Sequence, residues 1–310
     1  MSAYIWLFLG LFVMILCGNW LVTGSVQLAR HFKISTLVVG LTIVAYVTST
    51  PEIFISVKAA LDGSPDIALG NVIGSNIANI GCILAIVALV YPIPIRNRAM
   101  GFDIMMMFLV TLLLLFFGYS GIIGRFEGIC FLIILIAYTA WSIGKSRKES
   151  GSEKTVKATM KPLLAVAMIL VAIVGLYFSA GWFVTGAREL ALLWGVSERV
   201  IGVSIVAVGT SMPELMVSLI AAFKKEADLS VGNIIGSNFF NIAGVLGLTA
   251  TVRPLAIANH TMFISDMMWL FGITIVLLLT MIPLSKGKIT RWEATLLLLV
   301  FMVYMITLYK

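Results

Sequence analysis

Ten long apolar stretches follow one another along this chain, and they limit what it can fold into. A helix needs about 20 apolar residues to cross the hydrocarbon core of a bilayer, and each stretch comes close to that length. Only 11% of the 310 residues are charged and 61% are hydrophobic, more apolar surface than a water-soluble fold could bury. We predict an all-α integral membrane protein with ten transmembrane helices, near residues 3–29, 36–61, 67–91, 100–119, 122–143, 162–190, 200–223, 229–252, 261–282 and 290–309.

The basic residues lie between the apolar stretches, singly or in small groups. Of the 21 lysines and arginines, 15 fall in odd-numbered loops, and the rest lie in even-numbered loops or at the C-terminus. Short cytoplasmic loops are enriched in Lys and Arg, so the odd loops are predicted to be cytoplasmic and both termini extracytoplasmic. Membrane topology thus accounts for the net charge of +7, and we expect no binding of nucleic acid.

An internal repeat divides the chain into two halves. A shift of 162 positions aligns residues 38–84 with 200–246 without a gap, and 22 of these 47 positions are identical. Each half holds five predicted spans, so the second half must enter the membrane in the opposite sense. Inverted repeats of this kind are typical of secondary transporters. The predicted organisation is a first five-helix repeat at 1–143 with its motif at 38–92, a flexible cytoplasmic linker at 144–161, and a second five-helix repeat at 162–310 with its motif at 200–254.

Two glutamates at equivalent repeat positions lie deep within predicted spans. Of the 14 acidic residues, only Glu52 and Glu214 are placed in this way, whereas the others, such as Asp103, lie in loops or near span ends. A carboxylate at bilayer depth costs roughly 2.5–3.5 kcal/mol, which indicates that it is kept there for a partner. No basic residue lies at mid-span depth except Lys58, which can reach the end of its helix. The partner is therefore a cation or a proton.

Each of these glutamates follows a proline, in Thr48-Ser-Thr-Pro-Glu52 and Thr210-Ser-Met-Pro-Glu214. Proline disrupts the preceding helical turn and frees backbone carbonyls, which in a membrane need a partner. Freed carbonyls, the two carboxylates and the hydroxyls of Ser49 and Ser211 are hard oxygen donors, which suit Ca²⁺ and Na⁺.

A second motif supplies amides and hydroxyls. Ser75 and Asn79 are four residues apart and share one helical face, as Ser237 and Asn241 do, and Asn71 and Asn233 extend the two faces. So many amides in one place favour a role in ion binding. The accompanying glycines are expected to allow close helix approach, and they are Gly70, Gly74, Gly232 and Gly236.

The motifs Thr-Ser-x-Pro-Glu and Gly-Asn-x-Ile-Gly-Ser-Asn-x-x-Asn, present in both halves, resemble the alpha repeats of the sodium/calcium exchanger family, of prokaryotic type, in the Ca²⁺:cation antiporter superfamily. The resemblance implies a cluster of one Ca²⁺ site and flanking Na⁺ sites. The implied Ca²⁺ ligands are Glu52, Glu214 and the carbonyls of Thr48 and Thr210. The implied external Na⁺ ligands are Ser49, Ser75, Glu214 and the carbonyl of Ala207. The implied internal Na⁺ ligands are Ser211, Ser237, Glu52 and the carbonyl of Ala45. Asn79 and Asn241 resemble the central pair.

The sequence departs from the family pattern at three positions. Val47 replaces a glycine, Thr50 replaces a leucine, and both central positions are Asn where many relatives have one Asp. A β-branched residue at 47 stiffens the first half-site. The two Asn residues argue against potassium-dependent exchange, and the Gly-Asn-x-x-Glu pattern of proton/calcium exchangers is absent.

We therefore predict an antiporter that exchanges Ca²⁺ for Na⁺ by alternating access, is electrogenic, and functions as a monomer in the cell membrane, surrounded by lipid. No cofactor is expected. A proton-coupled Ca²⁺ exchanger is the alternative in the same class, and a passive Ca²⁺ channel is the more distant one. An enzyme is not expected, because no catalytic Ser-His, Cys-His or zinc-ligand set is present; His31 and His260 lie at span ends.

Overall fold

A computed structural model describes residues 2–94, 98–150, 157–195, 207–280 and 288–308. The described chain is almost entirely helical. The α-helices are α1 Ser2–Phe32, α2 Thr36–Val39, α3 Ala45–Thr48, α4 Thr50–Leu61, α5 Pro65–Ala78, α6 Ala85–Val90, α7 Arg98–Gly118, α8 Arg125–Ser150, α9 Pro162–Leu193, α10 Ala207–Thr210, α11 Met212–Phe223, α12 Ala227–Phe240, α13 Gly247–Val252, α14 His260–Thr280 and α15 Arg291–Leu308. The described residues also contain three π-helical turns, π1 Gly40–Val44, π2 Asn79–Leu84 and π3 Asn241–Leu246.

Eight helical stretches of the described residues are long and apolar enough to cross a bilayer, or nine if the bent pair Thr36–Thr48 and Thr50–Leu61 counts as one span. The predicted seventh span, 200–223, begins outside the described residues, and its described part consists of α10 and α11. The all-α character of the chain is confirmed, and the count of ten spans stays a prediction.

The chain divides into two compact units, of which the first comprises Met1–Thr50, Ala140–Asn233 and Met305–Lys310. Its core forms where α1 and α9 lie along each other, because small residues let the two backbones approach. A Cβ atom on Gly10 would lie 2.6 Å from the amide nitrogen of Phe183, so only glycine fits there. Buried Met14, Leu21 and Leu176 fill the same core.

Side-chain contacts in this unit hold the C-terminal end of the linker region. Helix α8 continues to Ser150, residues 151–156 lie outside the described part, and the Gln27 side chain binds the end of the linker. Gln27 Oε1 accepts hydrogen bonds from the backbone amides of Thr159, at 2.9 Å, and Met160, at 3.3 Å. The start of α9 is thereby tied to α1.

The second unit comprises Pro51–Thr139 and Ile234–Tyr304. Its largest fully buried side chains include Phe131, Ile104 and Met107. Four two-residue strands form two antiparallel pairs, β1 Ile93–Pro94 with β4 Lys288–Ile289, and β2 Ile122–Ile123 with β3 Leu255–Ala256. These pairs fasten loops at helix ends and satisfy backbone groups that would otherwise lack partners.

Candidate ion-binding site

The helix that carries each motif glutamate is interrupted just before its proline. The helical path is interrupted at Ser49, which separates α3 from α4. Ser49 has φ −84° and ψ 10°, and the equivalent Ser211, between α10 and α11, has φ −89° and ψ 8°. This sparsely populated backbone region is common at functional sites. Each glutamate therefore lies in the first turn of a new helix, as the prolines predict.

In the first unit, the carboxylate of Glu214 is fully buried and contacts the serine of the other motif copy. Ser49 Oγ donates a hydrogen bond of 3.1 Å to Glu214 Oε1. The resemblance of the motifs to the alpha repeats implies that these two residues share one Na⁺ site, and the structure brings them together. A buried carboxylate beside a hydroxyl presents hard oxygen atoms to a cation.

Asn233 fixes the backbone that carries Glu214. Its Nδ2 atom donates to the carbonyl of Glu214, at 3.3 Å, and to Ser218 Oγ, at 2.9 Å. Its Oδ1 atom accepts a hydrogen bond of 3.1 Å from Thr48 Oγ1. Asn233 therefore links the first motif to the second, through Thr48 and Glu214, and uses both ends of its amide in doing so.

In the second unit, Asn71 holds Glu52 in the same manner. Its Nδ2 atom donates to the carbonyl of Glu52, at 3.4 Å, and to Ser56 Oγ, at 2.9 Å. The amides of Asn71 and Asn233 therefore bind the helices that carry the glutamates. This differs from the expectation that the two residues extend the Ser/Asn ion-binding face. Sequence reasoning missed Ser56 and Ser218, although both are identical repeat positions.

The Ser/Asn motif in the second unit is buried, as expected for ion ligands. Ser75 is 3% exposed, and Asn79, Ser237 and Asn241 are fully buried. Asn79 begins π2 and Asn241 begins π3, at equivalent positions of the repeat. Single π-helical turns are frequent at functional sites. Among the described residues, neither amide atom of Asn79 has a hydrogen-bond partner, and Asn241 Oδ1 has none.

The two central asparagines differ in how their amides are held. Asn241 Nδ2 donates a hydrogen bond of 3.1 Å to Asn76 Oδ1, and Asn76 Nδ2 donates one of 3.1 Å to the backbone carbonyl of Asn238. Asn238 Nδ2 donates instead to the carbonyl of Ile234 in its own helix, at 2.9 Å. Asn76 and Asn238 were not singled out from the sequence, because they do not share the helical face of the serines.

The remaining implied ligands of the first unit lie around the two interruptions. The carbonyl of Ala45 accepts a hydrogen bond of 3.0 Å from Ser49 N. Thr48 Oγ1 lies 3.4 Å from the same carbonyl, but the shorter contact of its single proton is with Asn233 Oδ1. Ala207 and Thr210 are the first and last residues of α10. Ser211 is fully buried, and its hydroxyl has no hydrogen-bond partner among the described residues. Joint binding of one ion by Glu52 and Glu214 stays a prediction.

One expectation about the surrounding residues is corrected. Gly232 does permit close approach, because a Cβ there would lie 2.5 Å from the Leu37 carbonyl oxygen, but a Cβ at Gly70 or Gly74 would have no atom of the described residues within 4 Å. Asp103 lies near the start of α7, as expected, and is only 5% exposed, which makes it a third buried carboxylate among the described residues. Tyr138 Oη donates a hydrogen bond of 2.6 Å to Asp103 Oδ1 and satisfies it.

The donor set suits hard cations. Within the described part of the chain, no group of three or more His, Cys, Asp or Glu residues is close enough to hold a metal ion. A cation bound near Glu52 or Glu214 would therefore rely on hydroxyl, amide and backbone oxygens as well as carboxylate. Ca²⁺ and Na⁺ accept such ligands, whereas Zn²⁺ and copper favour nitrogen and sulfur.

Comparison with known proteins agrees with this chemistry. The family model described as "Sodium/calcium exchanger protein" matches residues 2–144 and 164–310. An uncharacterized membrane protein of Methanocaldococcus jannaschii is 34% identical over 95% of this chain and 94% of its own length. The sodium/calcium exchanger MaX1 of Methanosarcina acetivorans is 28% identical over 98% of this chain and 97% of its own length.

A solved structure of the sodium-calcium exchanger NCX_Mj, soaked with Na⁺ and Ca²⁺, superposes with a TM-score of 0.83. It is 32% identical in sequence, and the match covers 98% of this chain and 97% of that one. The chain is thus a multi-pass membrane protein related throughout its length to Ca²⁺/cation antiporters, and it belongs to the sodium/calcium exchanger protein family.

Proposed function

We propose that this chain exchanges Ca²⁺ for Na⁺ across the cell membrane by alternating access. The observation that carries the proposal is the hydrogen bond from Ser49 to Glu214. It joins a hydroxyl and a carboxylate from the two copies of the motif in one buried place. A buried carboxylate is costly in a membrane without a cation partner, and a neutral hydroxyl beside it favours Na⁺ over a proton as that partner.

Glu52 and Glu214, with the carbonyls of Thr48 and Thr210, are the proposed Ca²⁺ ligands. The proposed external Na⁺ site takes its oxygen atoms from Ser49, Ser75, Glu214 and the Ala207 carbonyl. The proposed internal site takes them from Ser211, Ser237, Glu52 and the Ala45 carbonyl. Asn79 and Asn241 complete the set. Support comes from the burial of every one of these side chains that the structure describes. It also comes from the amide oxygens of Asn79 and Asn241, which have no hydrogen-bond partner among the described residues.

The proposed architecture has ten transmembrane helices in two inverted five-helix repeats, at 1–143 and 162–310, joined by a cytoplasmic linker, with both termini extracytoplasmic. A monomer is sufficient, because both motif copies are in one chain. Support comes from the gapless sequence repeat and from the matching contacts of Asn71 and Asn233.

Exchange of three Na⁺ for one Ca²⁺ would be electrogenic. Two carboxylates neutralise one Ca²⁺, whereas three Na⁺ leave one positive charge, so the Na⁺-loaded protein would carry charge across the membrane. One elementary charge gains or loses about 2.3 kcal/mol per 100 mV. An inside-negative potential therefore favours Na⁺ entry and Ca²⁺ exit.

Transport in proteoliposomes tests the proposal. The purified chain is reconstituted in vesicles with an outward gradient of Na⁺, K⁺ or H⁺ as the sole counter-gradient, and Ca²⁺ uptake is measured against protein-free vesicles. We expect uptake with the Na⁺ gradient only, and faster uptake at an inside-positive potential. Uptake with the H⁺ gradient alone would identify a proton-coupled exchanger, and uptake without any counter-gradient would identify a channel.

A further inference from the structure

The two copies of the Gly-Asn-x-Ile-Gly-Ser-Asn-x-x-Asn motif are identical at every specified position, but their amides are arranged differently. Asn76 and Asn238 are equivalent positions of the repeat, and so are Asn79 and Asn241. Asn241 is hydrogen-bonded to Asn76, whereas Asn79 has no partner among the described residues for either amide atom. All four residues belong to the second unit and are buried. The difference therefore lies in the contacts and not in the residue types.

A backbone carbonyl sets the orientation of the Asn241 amide. The carbonyl of Asn238 can only accept a hydrogen bond, so the Asn76 atom that faces it, at 3.1 Å, must be the NH₂ group. Asn76 Oδ1 then points to the other side, where it requires a donor. Asn241 provides that donor through Nδ2, at 3.1 Å. Asn241 Oδ1 is consequently directed away from Asn76 and is buried without a hydrogen-bond partner in the described structure.

The equivalent chain of contacts on the other copy is not made. It would run from the Asn76 carbonyl through the Asn238 amide to Asn79 Nδ2. Asn238 Nδ2 instead donates to the Ile234 carbonyl, four residues back in α12, and Asn238 Oδ1 has no partner among the described residues. Nothing described in the structure orients the Asn79 amide, so it can turn either end towards a ligand.

The geometry points to Asn76 as a positioning residue that presents the Asn241 carbonyl oxygen to the transported cation, so that the two central asparagines are unequal ligands. This inference rests on the proposed function in taking the ligand to be Ca²⁺ or Na⁺. An amide that is already oriented loses no rotational freedom when its oxygen binds a cation. Such an amide also cannot turn its NH₂ group towards the cation. Asn76 itself contacts no ion and acts only through Asn241.

The experiment measures cation binding directly on the purified full-length chain. Apparent dissociation constants for Ca²⁺ and for Na⁺ are determined by calorimetry for wild type, Asn76→Ala and the matched control Asn238→Ala. We expect Asn76→Ala to weaken binding of the cation that Asn241 contacts, Ca²⁺ or Na⁺, about five- to tenfold, the equivalent of one oriented hydrogen bond. Asn238→Ala should change binding less than about twofold, because Asn238 does not orient either central asparagine.

A double-mutant cycle separates positioning from general packing. If Asn76 acts through Asn241, then Asn76→Ala should have no further effect on binding in an Asn241→Ala background, but its full effect in an Asn79→Ala background. A packing role would weaken binding equally in both backgrounds. Equal effects of Asn76→Ala and Asn238→Ala, or an undiminished effect in the Asn241→Ala background, would overturn the inference.

Two further measurements keep the outcome clear. Thermal unfolding checks that each variant folds. If Asn76→Ala does not fold, Asn76→Ser replaces it, because the serine side chain is polar but shorter than the amide. Asn76→Ser is expected to show the same loss of affinity. Wild-type affinity in Asn76→Ser would also overturn the inference. If the wild-type protein binds Ca²⁺ but shows no Na⁺-driven Ca²⁺ flux, the proposed function is refuted. The binding constants of the variants still decide the role of Asn76 in that case.

Discussion

Ser49 Oγ donates a hydrogen bond of 3.1 Å to Glu214 Oε1, so a hydroxyl of the first motif directly contacts the carboxylate of the second. If this hydroxyl also serves Na⁺, its removal should weaken the Na⁺ response more than the Ca²⁺ response. We expect Ser49→Ala to raise the Na⁺ concentration for half-maximal exchange about tenfold, a loss of about 1–2 kcal/mol. The measurement is Ca²⁺ flux against Na⁺ concentration.

Thr50→Val is the matched control for that variant. The Thr50 hydroxyl donates to the carbonyl of Tyr46, at 3.0 Å, in the same helical turn and is not a proposed ligand. Its loss should leave the Na⁺ dependence unchanged. A change in the Ca²⁺ response alone in Ser49→Ala would contradict the assignment of Ser49 to a Na⁺ site.

Glu52→Gln and Glu214→Gln should each abolish Ca²⁺ exchange while the protein still folds. Both side chains are fully buried, and a divalent ion in a medium of low dielectric constant requires both negative charges. Glutamine keeps the shape and can still accept the hydrogen bond from Ser49 to residue 214. Folding is checked by thermal unfolding in detergent, and Ca²⁺ flux near the wild-type rate at limiting Ca²⁺ in either variant would refute the prediction.

Asn241→Asp should give exchange a new pH dependence between roughly pH 5 and pH 8. Asn241 Nδ2 faces Asn76 Oδ1, and an aspartate oxygen can take that place only when it carries a proton. At low pH the protonated variant should behave like wild type, and at high pH its ionised form should change cation binding. Na⁺-driven Ca²⁺ flux is measured against pH.

Asn79→Asp is the control for that pH profile. The Asn79 side chain has no described hydrogen bond, so an aspartate there needs no proton to keep one. The pH dependence of exchange by Asn79→Asp should therefore be weaker, or lie at lower pH, than that of Asn241→Asp. Superimposable profiles of wild type and Asn241→Asp would show that residue 241 does not face the transported ions.

Gly232→Ala and Gly70→Ala occupy the same repeat position and should differ in stability. A Cβ at position 232 would lie 2.5 Å from the Leu37 carbonyl oxygen and 3.1 Å from Gly40 Cα, so backbone would have to move. We expect a loss of about 1–3 kcal/mol for Gly232→Ala. Gly70→Ala meets no described atom within 4 Å and should be neutral or slightly stabilising. The measurement is the midpoint of thermal unfolding of both variants in the same detergent. Equal midpoints would contradict the predicted difference in stability.

Glu226 lies in the turn between α11 and α12, outside the spans, and burial raises its pKa from the ordinary value of 4.5, with nearby Arg30 opposing the shift. The folded state therefore favours the protonated form. The contribution of Glu226 to the free energy of unfolding is complete below the ordinary pKa, where the side chain is protonated in both states. It is lost as pH rises through the raised pKa of the folded state. We expect Glu226→Gln to stabilise the protein at neutral pH by about 0.5 kcal/mol or less and to match wild type near pH 4. Thermal unfolding at both pH values tests this, and a destabilised variant at neutral pH would contradict it.

The sequence was sufficient for the membrane class and for the position of Glu52 and Glu214 in restarted helices, because both depend on local patterns. Hydropathy identifies long apolar spans, and the prolines before Glu52 and Glu214 fix where their helices restart. Each property can be read within a single predicted span of about 20 residues, and the contacts of more distant residues play no part in it.

The contacts of the asparagines could not be predicted in the same way. Position on a helical face placed Asn71 with Ser75, but its amide binds Glu52 and Ser56, which lie on another helix. Asn76 has Asn238 and Asn241 as partners, and both are more than 160 residues away in sequence. The π-helical turns add to the difficulty, because each shifts the phase on which a count of three or four residues depends.

The π-helical turns also bear on the history of the chain. One π turn holds a single residue more than the α-helical path it replaces, and each α-helical residue corresponds to about 100° of rotation. Both copies carry this extra residue at the same place, Asn79–Leu84 and Asn241–Leu246, and the alignment between them has no gap. The simplest history is one insertion in an ancestral half-length gene, followed by duplication. Deletion of one codon in either segment would rotate the rest of that helix and turn its apolar surface away from the core.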